Sequence, residues 1–172
     1  KYTCHWLSEI DSIAYLNTHD KNIFQNGYEQ SASWLLLHTE FFLKPEESCQ
    51  LLIISDQNGQ DLALLPFYIS TKKRFRNRYV KPLSSYYTAE FSPVLLTEHV
   101  SFSGLAEAVI SCFSKPPIPW DAFYYGPFAP SSEFAQALLK AAKQRGLFGK
   151  SYFWFENWYQ ECGSVSFEAY YN

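Results

Sequence analysis

The spacing of apolar residues divides this chain into helical and extended segments. Apolar residues recur at helical intervals in four stretches, and three of these stretches follow a serine that suits a helix N-cap. The predicted helices open at Ser8 and span about 31–42, 103–113 and 131–145. A further helix is predicted to begin within 163–172, where the chain ends.

Extended segments are predicted where short apolar runs end in turn residues. Leu51–Ser55 and Leu62–Ser70 are predicted to form a hairpin, because Asn58-Gly59 supplies the positive φ angles of a tight turn. Pro66 lies inside the second strand, which favours an edge strand or a bulge. Shorter strands are predicted at 3–7, 79–80, 91–96, 120–125 and 151–158. Helices alternating with a mixed sheet predict an α/β or α+β fold, in which 1–172 forms one three-layer domain with four to five helices.

The composition shows a large aromatic content and excludes several classes of protein. The 172 residues include 15 Phe, 13 Tyr and 5 Trp, and charged residues make up only 18%. This balance indicates a chain that folds around an apolar core, since disordered chains have many charges and few aromatic residues. No stretch approaches the ~18 continuous apolar residues of a membrane span. The first residues lack the pattern of a signal peptide, and the absence of Met indicates a fragment or a trimmed start.

Charge is unevenly distributed, although the net charge is only -3. Six of the 14 cations occur within ten residues, at Lys72, Lys73, Arg74, Arg76, Arg78 and Lys81. The rest of the chain is acidic, which is unlike a protein that binds nucleic acid through bulk charge. The favoured interpretation of the basic run is a solvated loop that discourages edge pairing. The alternative is a site that holds a phosphate, a carrier protein or an acidic polymer.

The cysteines and histidines do not follow a metal-binding or redox spacing. Cys4, Cys49, Cys112 and Cys162 lie far apart in sequence, so neither a zinc pair nor a Cys-x-x-Cys motif is present. We interpret the cysteines as reduced and mostly buried, in a cytoplasmic protein, and predict no metal site. His38 lies among apolar residues of the second helix and is interpreted as a structural histidine.

Gln144–Gly149 superficially resembles the loop that holds the pyrophosphate of acyl-CoA. Such a loop needs its glycines at a strand-to-helix turn, where backbone N–H groups point at the phosphate. Here the glycines follow a helix, and Gly146 occupies the position of a C-cap glycine. The sequence therefore favours a structural role for this segment.

Three aromatic clusters are candidates for a binding site. They occupy 84–91, 124–127 and 152–156. A loop between strands needs a reason to hold as much ring area as 84–91 does. If the strands that end at these clusters are parallel, their ends share one cleft. The alternative is that the rings pack in the core.

Several segments, taken in order, are similar to the first lobe of the CelD-type, FemAB-like branch of the GNAT acyltransferases. They are Trp34-Leu35, LALLPFYIS (62–70), the basic turn, LSSYYTAEFSPVLL (83–96), FYYGPFAPSSEF (123–134) and GSVSFEAYYN (163–172). Together these segments cover nearly the whole chain.

The resemblance implies part of an enzyme that transfers an acyl or aminoacyl group to an amine or hydroxyl. Members of this family look like two GNAT-like lobes in tandem, and the second lobe would bind most of the co-substrate, acetyl-CoA or another acyl-CoA. The first lobe would shape the pocket for a small-molecule or saccharide acceptor. The second lobe is missing here, so we expect the isolated lobe to be inactive and to form a homodimer through its exposed apolar face.

The resemblance and the position of residues within these segments suggest a set of site residues. Glu90 or Glu156 would act as the base, and Tyr125 as an acid or an acceptor-binding hydroxyl. The other candidates are Tyr86, Tyr87, Trp154 and Trp34 for substrate binding, and Lys72, Lys73, Arg74, Arg76 and Arg78 for anion binding. An enzyme lobe should gather Tyr86, Glu90, Tyr125 and Glu156 in one concavity. The alternative is a non-catalytic GNAT-like module that binds a carbohydrate or partner protein through exposed rings.

Overall fold

The structure, a computed structural model, describes residues 1–19, 28–70, 78–85, 88–113 and 120–153. Within these ranges the helices are α1 (Glu9–Thr18), α2 (Ala32–Phe41), α3 (Phe102–Phe113) and α4 (Glu133–Gln144), with a single 3₁₀ turn at Tyr28–Gln30. The strands are β1 (Thr3–Trp6), β2 (Glu47–Ser55), β3 (Asp61–Ser70), β4 (Tyr79–Pro82), β5 (Val94–Leu95) and β6 (Ala122–Phe123).

Local sequence signals fix the ends of three helices. The side-chain oxygens of Ser8, Ser31 and Ser132 each accept the N–H of the residue three positions later, so all three are N-caps. Helix α4 ends at its C-cap, Arg145, and Gly146 follows with a φ of 74°. The structural role predicted for Gln144–Gly149 is therefore confirmed, since this segment follows the carboxyl end of a helix.

The β2–β3 hairpin is also specified locally. Gly59 has a φ of 83°, and the Asp56 carboxylate accepts the N–H groups of Gln60 at 2.9 Å and Asn58 at 2.8 Å. These hydrogen bonds favour the ionised carboxylate and lower the pKa of Asp56, the bond from Gln60 contributing most. The predicted Asn-Gly turn is confirmed.

The strands form one mixed sheet in the order β1-β2-β3-β4-β6, and β5 pairs with β3 beside β4. Alternate residues of β2 face opposite layers of the fold. Leu51 and Ile53 belong to the apolar cluster that includes Leu16 of α1 and Leu35 of α2. Residues 52 and 54 instead join the cluster that includes α3 and α4. The sheet is thus covered by helices on both faces, which confirms an α+β domain of three layers.

Pro66 lies in a central strand, so the predicted edge strand or bulge is wrong. The Leu51 carbonyl accepts the Leu7 N–H at 2.9 Å on the β1 side, which makes Leu51–Pro66 a non-hydrogen-bonded pair of the β2–β3 ladder. The missing N–H of Pro66 therefore faces the other side of β3. There β3 changes its neighbour, pairing with β5 at 63–64 and with β4 at 67–70. A proline at this junction removes no ladder hydrogen bond.

Many of the aromatic residues pack in the core, including Phe91 of the 84–91 cluster, whereas Tyr152 and Phe153 of the third cluster are exposed. Phe67 is fully buried, and its ring centroid lies 5.5–5.9 Å from those of four other aromatic rings. These rings are Trp6, Phe91, Phe113 and Phe123. Edge-to-face and tilted contacts at such distances are favourable ring geometries. The cluster joins the sheet to α3.

Some predicted strands are shorter than expected. The strand predicted at 91–96 is reduced to β5, and the strand predicted at 120–125 is reduced to β6. Residues 151–153 are not in a strand, whereas 154–158 and the helix predicted within 163–172 lie outside the described residues. No helix in the described ranges is both long and apolar enough to cross a membrane.

Candidate functional site

Strands β4 and β6 are parallel, with Tyr79 opposite Ala122 and Val80 opposite Phe123. Parallel strands place their carboxyl ends at the same edge of a sheet, and this edge is where α/β proteins commonly bind ligands. The segment that follows β4 contains Glu90, and the segment that follows β6 contains Tyr125. The ends of β4 and β6 therefore lie at one edge of the sheet, whereas most of the third aromatic cluster, 152–156, lies outside the described residues.

A shallow cleft opens beside this edge. Its volume, including the open mouth, is about 250 Å³, and its interior has room for about one water molecule. Its lining residues are Glu29, Gln30, Leu35, Pro66, Leu83, Thr88, Glu90, Phe91, Ser92 and Val94. The cleft therefore lies at the β3 junction described above, where Pro66 faces the gap between β5 and β4.

Glu90 is held at the cleft by hydrogen bonds that the backbone N–H groups of residues 89–91 donate. The Glu29 carboxylate accepts the N–H of Ala89 at 3.0 Å and the N–H of Glu90 at 3.4 Å. The next residue, Phe91, donates its N–H to the Pro127 carbonyl at 2.6 Å. These contacts fix the backbone around Glu90 between the 3₁₀ turn and the turn after β6, while the Glu90 residue remains exposed.

Tyr125 lies in an apolar environment next to Glu90. Its ring centroid is 5.4 Å from that of Phe91, 5.8 Å from that of Phe128 and 5.4 Å from that of Phe134. Its hydroxyl oxygen is buried and has no hydrogen-bond partner among the residues that the structure describes. Burial, and to a smaller degree the charge of Glu90, raise the pKa of Tyr125. The phenol is therefore held in its neutral form.

Trp34 is not among the cleft-lining residues, although its neighbour Leu35 is. The Trp34 ring lies 4.8 Å from the ring of His38, which in turn contacts the ring of Phe42 at 4.9 Å. His38 is 1% exposed, and burial lowers its pKa, opposed by smaller effects of the Leu83 backbone and of Glu29. Neither ring nitrogen of His38 makes a hydrogen bond of normal geometry in the described part of the chain. This environment agrees with the structural role predicted for His38.

Arg78 and Lys81, at the carboxyl end of the basic run, are the members that the structure describes. Its backbone N–H donates to the Asp121 carboxylate at 2.7 Å. The Lys81 amine lies 5.6 Å from the ring centroid of Tyr79 and 5.5 Å from that of Tyr124, within the range of cation–π contacts. This part of the run contacts acidic and aromatic side chains, and the predicted anion site remains a prediction.

Other predicted site residues lie outside the described residues, so their position relative to the cleft is not stated. They are Glu156, Tyr86, Tyr87, Trp154, Lys72, Lys73, Arg74 and Arg76. Of the candidates described, Glu90 lines the cleft, Tyr125 packs against the neighbouring Phe91, Trp34 does not line the cleft, and Arg78 precedes β4.

The sequence interpretation did not identify Glu29 or Gln30. Glu29 binds the backbone of 89–90, and the Gln30 amide donates to the Ser92 hydroxyl. Each residue is about 60 positions from its partner, so no local pattern marks either of them.

Three large aromatic rings are exposed near the carboxyl end of the described residues. Phe148 is 94% exposed, Tyr152 is 65% exposed and Phe153 is 76% exposed. Large rings exposed close together are typical of interaction surfaces. Within the described ranges, no group of three or more His, Cys, Asp or Glu side chains is arranged to hold a metal ion.

Comparison with protein-family models, with curated proteins and with solved structures gives no match in any of the three. The fold and the site define the chain as an α+β domain with a small cleft near the carboxyl end of β4, lined by two glutamates and mainly apolar residues.

Proposed function

We propose that the chain is the acceptor-binding lobe of a GNAT-like acyltransferase, located in the cytoplasm. The observation that supports this proposal is the position of Glu90, an exposed acidic residue that lines the cleft in the segment after β4. In this proposal the cleft mouth receives a small-molecule or saccharide acceptor through its amine or hydroxyl.

The two side chains have different roles in the proposal. Glu90 takes a proton from the acceptor amine or hydroxyl, since a carboxylate at the cleft mouth can contact a bound acceptor. The raised pKa of Tyr125 makes proton donation to a leaving group unfavourable. The Tyr125 hydroxyl is buried and Tyr125 does not line the cleft, so this residue positions Phe91, next to Glu90, through ring contact rather than acting as the acid.

Acyl-CoA is the co-substrate that the resemblance implies. The one segment of this sequence that resembles a pyrophosphate loop, Gln144–Gly149, does not fit this group, since it follows the carboxyl end of α4. Carbonyl groups rather than N–H groups point outward there and disfavour an anion. We therefore assign acyl-CoA to a second lobe of the same polypeptide.

Isothermal titration calorimetry with acetyl-CoA tests this division. We expect binding to the chain extended by its second lobe and no binding to residues 1–172 alone. Binding by neither protein would contradict the acyltransferase proposal.

The role of Glu90 is tested by Glu90→Gln in the extended protein, with a panel of amines and amino sugars as acceptors and release of the free thiol as readout. Loss of a general base lowers the transfer rate by about 10²–10⁴-fold. Acetyl-CoA affinity should be unchanged. The matched control is Glu98→Gln at an exposed position outside the cleft lining. Transfer by Glu90→Gln at the wild-type rate would exclude Glu90 as the base.

A non-catalytic module is the second candidate, because the rings at 148, 152 and 153 are exposed. A carbohydrate that stacks on these rings should bind at least about tenfold more weakly to Phe148→Ala/Tyr152→Ala/Phe153→Ala. Titration with soluble oligosaccharides tests this. Equal binding by the triple variant would exclude this surface.

A further inference from the structure

Two cysteines away from the cleft lie on elements that pack against each other. Cys4 is in β1, Cys112 is in the last turn of α3, and both residues are partly exposed free thiols. The Cys4 thiol donates a hydrogen bond to the carbonyl oxygen of Ala108, with a distance of 3.0 Å from Sγ to oxygen.

The geometry of an α-helix brings Cys112 to the same place. The N–H of residue 112 donates to the carbonyl of residue 108, so Cys4 shares the acceptor of the Cys112 amide. Side chains in a helix lean toward its N-terminus. The Cys112 thiol therefore lies over the turn that contains Ala108, next to Cys4.

The electrostatics of the pair agree with direct contact. Contact with the Cys4 thiol lowers the pKa of Cys112, against the smaller effect of burial, and contact with Cys112, together with burial, raises the pKa of Cys4. Cys112 is thus the more acidic thiol and the better candidate for the first nucleophile. Cys49 differs from both, because it is fully buried.

We propose that Cys4 and Cys112 form a reversible intramolecular disulfide by exchange with a small-molecule disulfide. The Cys112 thiolate attacks one sulfur of the small disulfide and releases its other half as a thiolate. Cys4 then attacks the Cys112 sulfur of the mixed disulfide and releases the second half. The two protein thiols are oxidised, the small disulfide is reduced to two thiols, and the two protons of the protein thiols end on the released thiolates.

The disulfide would join the edge strand β1 to α3 and close a loop of about 100 residues, a size at which a cross-link strongly restricts the unfolded chain. Oxidation is expected to raise the Tm by about 5–15 °C. The proposal is independent of the function proposed for the cleft.

The test uses the full chain with Cys162→Ser, which removes the fourth thiol. The protein is equilibrated with mixtures of oxidised and reduced glutathione, quenched in acid and alkylated. Mass spectrometry of the unreduced digest should reveal a peptide pair that joins Cys4 to Cys112, and Cys49 should remain alkylatable only after unfolding. The Tm should rise in step with this cross-link and fall back on reduction.

A matched control moves one thiol around the helix while keeping the number of thiols. Ser111 is exposed on α3, so Ser111→Cys combined with Cys112→Ser points the thiol away from Cys4. This variant should form no cross-link to Cys4 under the conditions that oxidise the parent. The proposal is overturned if the folded parent forms no Cys4–Cys112 disulfide, if the control cross-links equally well, or if oxidation lowers the Tm.

Discussion

Removing the hydroxyl of Tyr125 should stabilise the protein, whereas the same change at Tyr15 should destabilise it. The Tyr125 oxygen is buried without a hydrogen-bond partner among the described residues. A buried, unpaired hydroxyl costs about 1–3 kcal/mol in desolvation. Tyr125→Phe keeps the three ring contacts and removes this cost, so the free energy of unfolding should rise by about 1 kcal/mol.

Tyr15 provides a matched control because its hydroxyl makes a hydrogen bond. It donates to the Asp61 carboxylate at 2.8 Å, and burial, followed by this contact, raises the pKa of Tyr15. A hydrogen bond to a charged group contributes about 1.5–3 kcal/mol. The site is only partly buried, so Tyr15→Phe should lower the free energy of unfolding by about 1–2 kcal/mol.

Urea denaturation followed by tryptophan fluorescence measures both changes on one scale. The two variants should differ by about 2–3 kcal/mol, which is about a 30- to 150-fold difference in the unfolding equilibrium. The m-values should be equal, because the two changes leave the exposed surface almost unaltered. A loss of more than about 1 kcal/mol in Tyr125→Phe would refute the argument, since it would mean that the hydroxyl is hydrogen-bonded in the folded protein.

Further expectations concern the core, pH and association. Phe67→Ala should lower the free energy of unfolding by about 3–5 kcal/mol in the same urea assay, whereas the matched change at the 94% exposed Phe148 should alter it by less than about 0.5 kcal/mol. The lowered pKa of His38 means that the unfolded chain binds the proton first as pH falls. The contribution of His38 to stability is therefore constant above about pH 7.5 and falls by up to about 1.4 kcal/mol per pH unit as the pH drops through the unfolded-state value of about 6.5. Stability should fall less over this range in His38→Gln than in the exposed control His99→Gln. Light scattering at high concentration should give twice the 20.0-kDa mass of the chain. The Phe41 ring on α2 is 67% exposed, and Phe41→Ser should give the mass of the monomer. A monomeric wild-type protein would contradict the dimer.

The candidate site could be predicted only in part. The resemblance and the aromatic pattern led to Glu90, which lines the cleft, and to Tyr125, whose ring packs against Phe91 without lining the cleft. The contacts that hold the segment around Glu90 come from distant parts of the chain. Glu29 is 61 positions from Glu90, and Pro127 follows Phe91 by about 36 positions. Such contacts leave no local pattern, because their energy depends on which strands pair and in which register.

The sequence by itself determined the elements whose stabilising contacts lie within a few residues. Ser8, Ser31 and Ser132 each cap a helix through the N–H three residues later, and Asn58-Gly59 closes the hairpin with its own backbone. These contacts form wherever the local chain adopts the right φ and ψ angles, so residue type and spacing suffice to predict them.

Only the tertiary structure decided how these elements combine. It placed Pro66 in a central strand because β4 ends opposite Phe67 and β5 begins opposite Leu64, on either side of the proline. It also made β4 and β6 parallel, buried the Tyr125 hydroxyl, and brought Cys4 to the turn before Cys112. Each outcome depends on burial and pairing between segments far apart in the chain. The free energy of such contacts is set by the whole packed core, which local residue patterns do not encode.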